Sequence, residues 1–220
     1  MAGQLESLDS DEGLERRRHR HWYDRLMMLA DGVFAIAITL LAADIVSPGA
    51  PTPRLASLWA ALAPQLDAYA LSFVVISVYW LAHRRLMAMV LTVDAPVTVL
   101  TLAMLGLVAL LPAFTRLIHV QMGNHASMII YAGLVVAIGT ALSAMWAHAA
   151  LVVNLVSAEV GAAQRWLFFL LILLTPPLFL LLTILLPRPS PGVVPASLGA
   201  LFLIGWRLRL WVSRRMGAKG

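Results

Sequence analysis

The stretch RLMMLADGVFAIAITLLAADI, residues 25–45, decides the fold. Residues 26–46 form a run of 21 positions broken only by Asp31, Gly32, Thr39 and Asp44. At the helical rise this covers about 31 Å, enough to cross the hydrocarbon core of a bilayer. Asp31 stands one and a half turns inside it. An ionised carboxylate there is costly unless protein groups bond to it. With Ile36 at zero on a helical wheel, Thr39, Leu40 and Ala43 fall within about 60°, and Leu29 and Gly32 extend the stripe downward. Asp31 falls about 140° away. The expected arrangement is a helix with one apolar face carrying a single hydroxyl, and a carboxylate turned sideways toward a neighbouring helix.

The rest of the chain repeats the membrane signature. Of its 220 residues 61% are hydrophobic and 12% charged, with a mean hydropathy of +0.86. Soluble domains carry about twice that share of charge. The apolar residues come in long continuous runs, which indicates helices rather than a barrel of alternating strands. The fold class is therefore all-α and polytopic. There is no cysteine, so disulfides, thiolate catalysis and cysteine metal sites are excluded. The net charge of +5 is read as basic residues flanking membrane helices, not as a nucleic-acid surface.

Six spans are expected. They cover residues 22–46, 65–90 (with a longer alternative reaching back to 55), 96–119, 127–153, 164–186 and 193–211. Pro112 and the pair Pro176–Pro177 should kink the third and fifth. Residues 1–21 read as a disordered, cytoplasmic N-terminus ending in a basic block, 22–213 as the membrane domain, and 214–220 as a basic cytoplasmic tail. The first apolar run is longer than the core of a cleavable signal, so it reads as a retained helix. Placing both termini in the cytoplasm puts thirteen of the sixteen Lys and Arg on that side, leaving Arg54, Arg116 and Arg188 outside.

Asp31 needs donors at its own depth. Tyr79, Trp80 and His83, near the cytoplasmic end of the second span, supply phenol, indole and imidazole groups there. Arg25 lies about 240° around the helix from Asp31, so the two do not pair along one face.

The string Arg25-Leu-Met-Met-Leu29-Ala30-Asp31 resembles the Arg-x-x-x-Phe-Ser-Asp signature of the lysosomal potassium channel family and its bacterial relatives. Tyr79-Trp80-x-x-His83 fits the same family. The departures are Leu29 for Phe and Ala30 for Ser, which removes one hydroxyl from the family's polar network. The resemblance implies a homotetramer of six-helix subunits without a pore loop, the first helix lining a central pore. It maps the hydrophobic constriction to Ile36, the pore threonine to Thr39, and further lining to Leu40 and Ala43, with Ala43 leaving its level wider. Potassium would bind transiently near Thr39. Arg25, Asp31, Trp80 and His83 would form the structural polar network.

These residues lead to an expected potassium-selective or potassium-preferring channel in a bacterial plasma membrane, its partners being potassium, lipid and copies of itself. No cofactor is expected, and no enzyme: GxSxG, the Walker lysine and the dinucleotide glycine motif are all missing. The six histidines lack metal-ligand spacing. The rival is a proton-coupled secondary transporter using Asp31 or His83; a third reading is a membrane scaffold.

Overall fold

The structure, a computed structural model, describes residues 2–45, 55–120 and 124–185. Five helices order the chain: α1 (Ala2–Ala43), α2 (Leu55–Met87), α3 (Ala95–Val120), α4 (His125–Ala147) and α5 (Ala162–Leu185). A π-helical turn, His148–Val152, follows α4 directly. Each helix contains a segment long and apolar enough to cross a membrane, that of α1 being Arg20–Ala43. These are five of the six expected spans; the sixth, 193–211, and the tail 214–220 lie outside the described residues.

Two boundaries differ from expectation. α2 starts at Leu55, as in the longer alternative, and carries Pro64 in its interior. α1 starts at Ala2, so the stretch expected to be disordered continues the helix. That stretch holds three Leu, three Glu and four Arg, all good helix formers, and contains no proline. Pro112 lies inside α3, and Pro176 and Pro177 inside α5. Membrane helices tolerate such residues because neighbouring helices re-satisfy the freed carbonyls.

α3 and α4 form the centre of the bundle, with α1 and α2 packed on α3 and α5 on α4. α1 contributes a stripe of Leu26, Ala30, Phe34, Ala37 and Leu41, all buried and repeating at helical spacing. α4 buries Tyr131, Ile138, Leu142 and Trp146 completely. Most polar groups inside this core find partners, as the low dielectric demands. The Ser72 hydroxyl on α2 bonds Thr115 of α3 at 2.6 Å and Tyr131 of α4 at 3.0 Å. The Tyr79 hydroxyl donates to the carbonyl of Val135 at 2.6 Å. Gly139 of α4 lets α5 approach closely: a Cβ there would strike the Pro176 ring and come within 3.0 Å of the Tyr79 hydroxyl.

At one end of the bundle the connections pair with each other. The α2–α3 and α4–α5 linkers form an antiparallel bridge at Val90 and Val156. The N–H of Leu91 donates to the Leu155 carbonyl at 2.9 Å, and that of Ser157 to the Met89 carbonyl at 3.0 Å. Asn154 adopts φ 57°, in the left-handed region that Asn tolerates better than most residues. Arg165 draws the linker together, donating to the carbonyls of Val160 and Ala150 and to the Asn154 side chain.

Candidate functional site

α1 has two faces of opposite fate. Phe34, in the buried stripe, is 1% exposed, whereas Ile36 is 60% exposed. Leu40 is 49% exposed, and Thr39 and Ala43 are exposed with it. On the wheel these four residues lie within about 60° of the direction opposite Phe34. The face singled out by the sequence is thus the one that the five helices leave uncovered. The Thr39 hydroxyl donates to the Ile36 carbonyl at 2.9 Å. Its one hydrogen is thereby used within the helix, which leaves the oxygen lone pairs as acceptors.

Asp31 is turned off this face. The Trp80 indole N–H donates to its carboxylate at 2.7 Å, joining α1 to α2. The Arg84 guanidinium lies over the Trp80 ring, 5.3 Å from its centroid, within cation–π range. A carboxylate, an indole and a guanidinium are therefore stacked in sequence at the α1–α2 seam. One level away, Tyr23 donates its hydroxyl to the Met87 carbonyl at 3.0 Å and ties the same two helices.

The other expected donors go elsewhere. Tyr79, one residue from Trp80, faces inward and bonds Val135. His83 is 1% exposed, its ring 6.3 Å from that of Phe34, and its Nε2 has no hydrogen-bond partner among the described residues. The cause is helical: α2 turns Tyr79 and His83 toward the core and Trp80 toward its edge. Arg25 is exposed and forms no ion pair with Asp31. Among the described residues no group of three His, Asp or Glu gathers as a metal site would require.

One polar pair was not foreseen. Asp94 ends the α2–α3 linker and caps α3, accepting from the Val97 N–H at 2.9 Å. Its second oxygen bonds Nε2 of His148, in the π-helical turn, at 2.7 Å. Desolvation pushes the Asp94 carboxyl up, but the bonds from His148 and the Val97 N–H outweigh it and hold the group below the usual carboxylate range. The sequence did carry half the signal: an aspartate two residues ahead of Pro96 at the head of an apolar run is a helix start. Nothing local named His148, 54 residues on, as the partner.

Comparison with known proteins finds similarity over part of the chain. Residues 25–112, which hold Asp31, Ile36, Thr39, Trp80 and His83, match the sequence profile described as endosomal/lysosomal potassium channel TMEM175. A Streptomyces collinus protein named as a potassium channel is 37% identical over 131 residues, or 56% of this chain and 63% of the relative. A similarly named protein of Chamaesiphon minutus is 37% identical over 134 residues, or 57% of this chain and 65% of the relative. In both cases the similarity spans less than two thirds of the relative's own length. Among solved structures, a Chamaesiphon minutus homologue described as a lysosomal potassium-selective channel is 26% identical. It superposes with a TM-score of 0.61 over 84% of this chain and 98% of that one. A variant of the potassium channel MtTMEM175, solved with a nanobody fusion, is 19% identical and shares the fold, with a TM-score of 0.50 over 89% and 94% of the two chains. The chain is a multi-pass membrane protein that is similar to the TMEM175 potassium channels in sequence over residues 25–112 and in fold.

Proposed function

We propose that this protein is a subunit of a potassium-selective or potassium-preferring channel of a bacterial plasma membrane. The observation that carries the reading is the uncovered face of α1. In mid-span it bears Ile36, Thr39, Leu40 and Ala43, opposite the core, while Asp31 is bonded sideways to Trp80. Four copies, each with six spans and both ends in the cytoplasm, would bring this face to a shared axis. Residues 22–213 form the channel domain, between the cytoplasmic segments 1–21 and 214–220.

In that arrangement a ring of Ile36 side chains excludes water and acts as a hydrophobic gate. A ring of Thr39 oxygens, their hydrogens already committed to the helix, replaces part of a cation's hydration shell. Potassium holds its water less tightly than sodium, so weak hydroxyl ligands favour it modestly. Leu40 continues the lining and Ala43 leaves a wider level above. Asp31, Trp80 and His83 belong to the helix–helix seam rather than to the ion path, whereas exposed Arg25 lies on the same side of α1 as Ile36. Conduction is passive and requires no cofactor.

The test is purified protein in planar bilayers under a potassium/sodium gradient. Currents should reverse close to the potassium equilibrium potential. Flux that requires a proton gradient would replace this reading with the proton-coupled transporter, and no flux under any ion gradient would leave a scaffold.

A further inference from the structure

Bonds between helices fix the level of each helix end against α2. Tyr23 meets Met87 and Asp31 meets Trp80, so α1 runs antiparallel to α2 and its last residue, Ala43, falls about level with Asp67. Ser72 meets Thr115, which brings the end of α3, Val120, to the same level. Ser72 also meets Tyr131, and Tyr79 meets Val135, so α4 runs parallel to α2 and starts at His125, about level with Leu66. α5 stops short of this plane, since Pro176 lies against Gly139 and the helix ends at Leu185. α2 itself begins at Leu55. Its residues 55–65 therefore stand about 16 Å beyond the other described helices.

Polar groups mark the same plane. Asp44 after α1, Asp67 on α2, Arg116 on α3 and Asn124 before α4 all lie within about one turn of it. Such groups belong at the edge of the hydrocarbon core, not inside it. The 33 residues of α2 measure about 50 Å, against a core of about 30 Å. The excess is nevertheless apolar. Residues 55–65, LASLWAALAPQ, carry no charge, and Leu55 is 82% and Trp59 62% exposed. On a helical wheel Leu55, Leu58, Trp59 and Leu62 share an arc of about 100°, with Ala60 and Ala61 on the other side. Pro64 offers no N–H to the Ala60 carbonyl, so the helix lacks a bond at the point where it leaves the bundle and can turn there.

We propose that residues 55–63 form an interfacial arm that binds the lipid surface at this end of the bundle. The arm lies along the membrane, its Leu–Trp face sunk at the boundary of headgroups and acyl chains and its alanine face toward water. Indole settles at headgroup level, which suits Trp59. A second copy of the chain would be expected to pack on the small alanine face, because small residues let helices approach closely in lipid. The bulk that needs covering is on the opposite face. The inference rests on the membrane reading of the chain and not on its conducting potassium.

The experiment uses the absence of cysteine, which lets a single introduced one carry a nitroxide label at a known place. Leu55→Cys, Leu62→Cys, Ala60→Cys and Ala61→Cys are prepared in the full-length protein, in vesicles of phosphatidylethanolamine and phosphatidylglycerol. Each label is read for collision with oxygen, which concentrates in lipid, and with a water-soluble nickel chelate. The logarithm of the oxygen-to-nickel ratio should be positive at positions 55 and 62 and negative at 60 and 61. Should Leu62→Cys fail to fold, Leu58→Cys reports the same face. Nickel access at all the positions would mean that the segment stands in water, and oxygen access at all of them that it continues through the hydrocarbon. Shielding of either face from both reagents would mean that it packs against protein. Each of these three results overturns the proposal.

Discussion

Gly139→Ala separates two physical effects that act in opposite directions. In an isolated helix, alanine is better than glycine by about 1 kcal/mol, so propensity alone predicts a more stable protein. The structure predicts the reverse. A Cβ at position 139 would drive into the Pro176 ring and approach the Tyr79 hydroxyl to 3.0 Å. Pro176 is buried and its ring is fixed to the α5 backbone, so it yields only if the helix shifts. The Tyr79 hydroxyl is held by its 2.6 Å bond to Val135. Overpacking of this kind costs about 1–3 kcal/mol, and disturbing the Tyr79 bond adds about 1 kcal/mol. Set against the propensity gain, the net loss is about 2 kcal/mol, which lowers the melting midpoint by roughly 4–8 °C in a chain of this size. The assay is thermal unfolding of the purified protein, with Pro176→Ala completing a double-mutant cycle that should recover most of the loss. A midpoint at or above that of the parent protein would refute the reasoning, as would an additive cycle. The site feels the change too: Tyr79 adjoins Trp80, so a shift in Tyr79 loosens the indole that holds Asp31.

If Ile36 forms the proposed constriction, Ile36→Asn should raise single-channel conductance by wetting it, and unchanged conductance removes Ile36 from the gate. Asp31→Asn weakens the charge-assisted bond from Trp80, so the fraction recovered as folded protein on size exclusion should fall; full recovery with lost proton coupling would point to the transporter. Asp94 should govern acid sensitivity at the linker end. Its folded carboxyl lies below the ordinary range, so its contribution is complete above the unfolded value of about 3.9 and is lost as pH falls through the folded one. Asp94→Asn should therefore lower the melting midpoint at neutral pH and flatten its acid limb. An unchanged pH profile would show that the pair with His148 contributes nothing.

What could be read in advance depended on how local the cause was. Five spans followed from apolar length, and a sideways Asp31 from its angle on one helix. Trp80 was among three donors chosen by depth alone; selecting it required knowing that α2 turns Tyr79 and His83 to the core. The Asp94–His148 pair and the Arg165 clasp depend on two linkers meeting through the Val90–Val156 bridge, and such pairing of distant segments leaves no periodic trace. The helical extension of α1 to Ala2 was missed because charge was weighed above the helix propensity of Leu, Glu and Arg.

The two faces of α1 show why hydropathy alone stops short of function in a membrane. In water, an apolar stripe on a helix marks the core, because solvent expels it. In lipid that driving force between helices disappears, since the acyl chains are as apolar as leucine. The buried stripe of Ala30, Phe34, Ala37 and Leu41 and the uncovered stripe of Ile36, Leu40 and Ala43 are accordingly almost equal in hydrophobicity. What distinguishes them is size, polarity and contact. Ala30 and Ala37 let α1 approach its neighbours, and Phe34 fills the space against His83. On the other face, Thr39 carries a hydroxyl whose hydrogen is donated to the Ile36 carbonyl, leaving its oxygen lone pairs as acceptors. A hydroxyl kept on the uncovered side of a span, while the carboxylate is bonded away to Trp80, is the arrangement that a weak, neutral cation ligand requires.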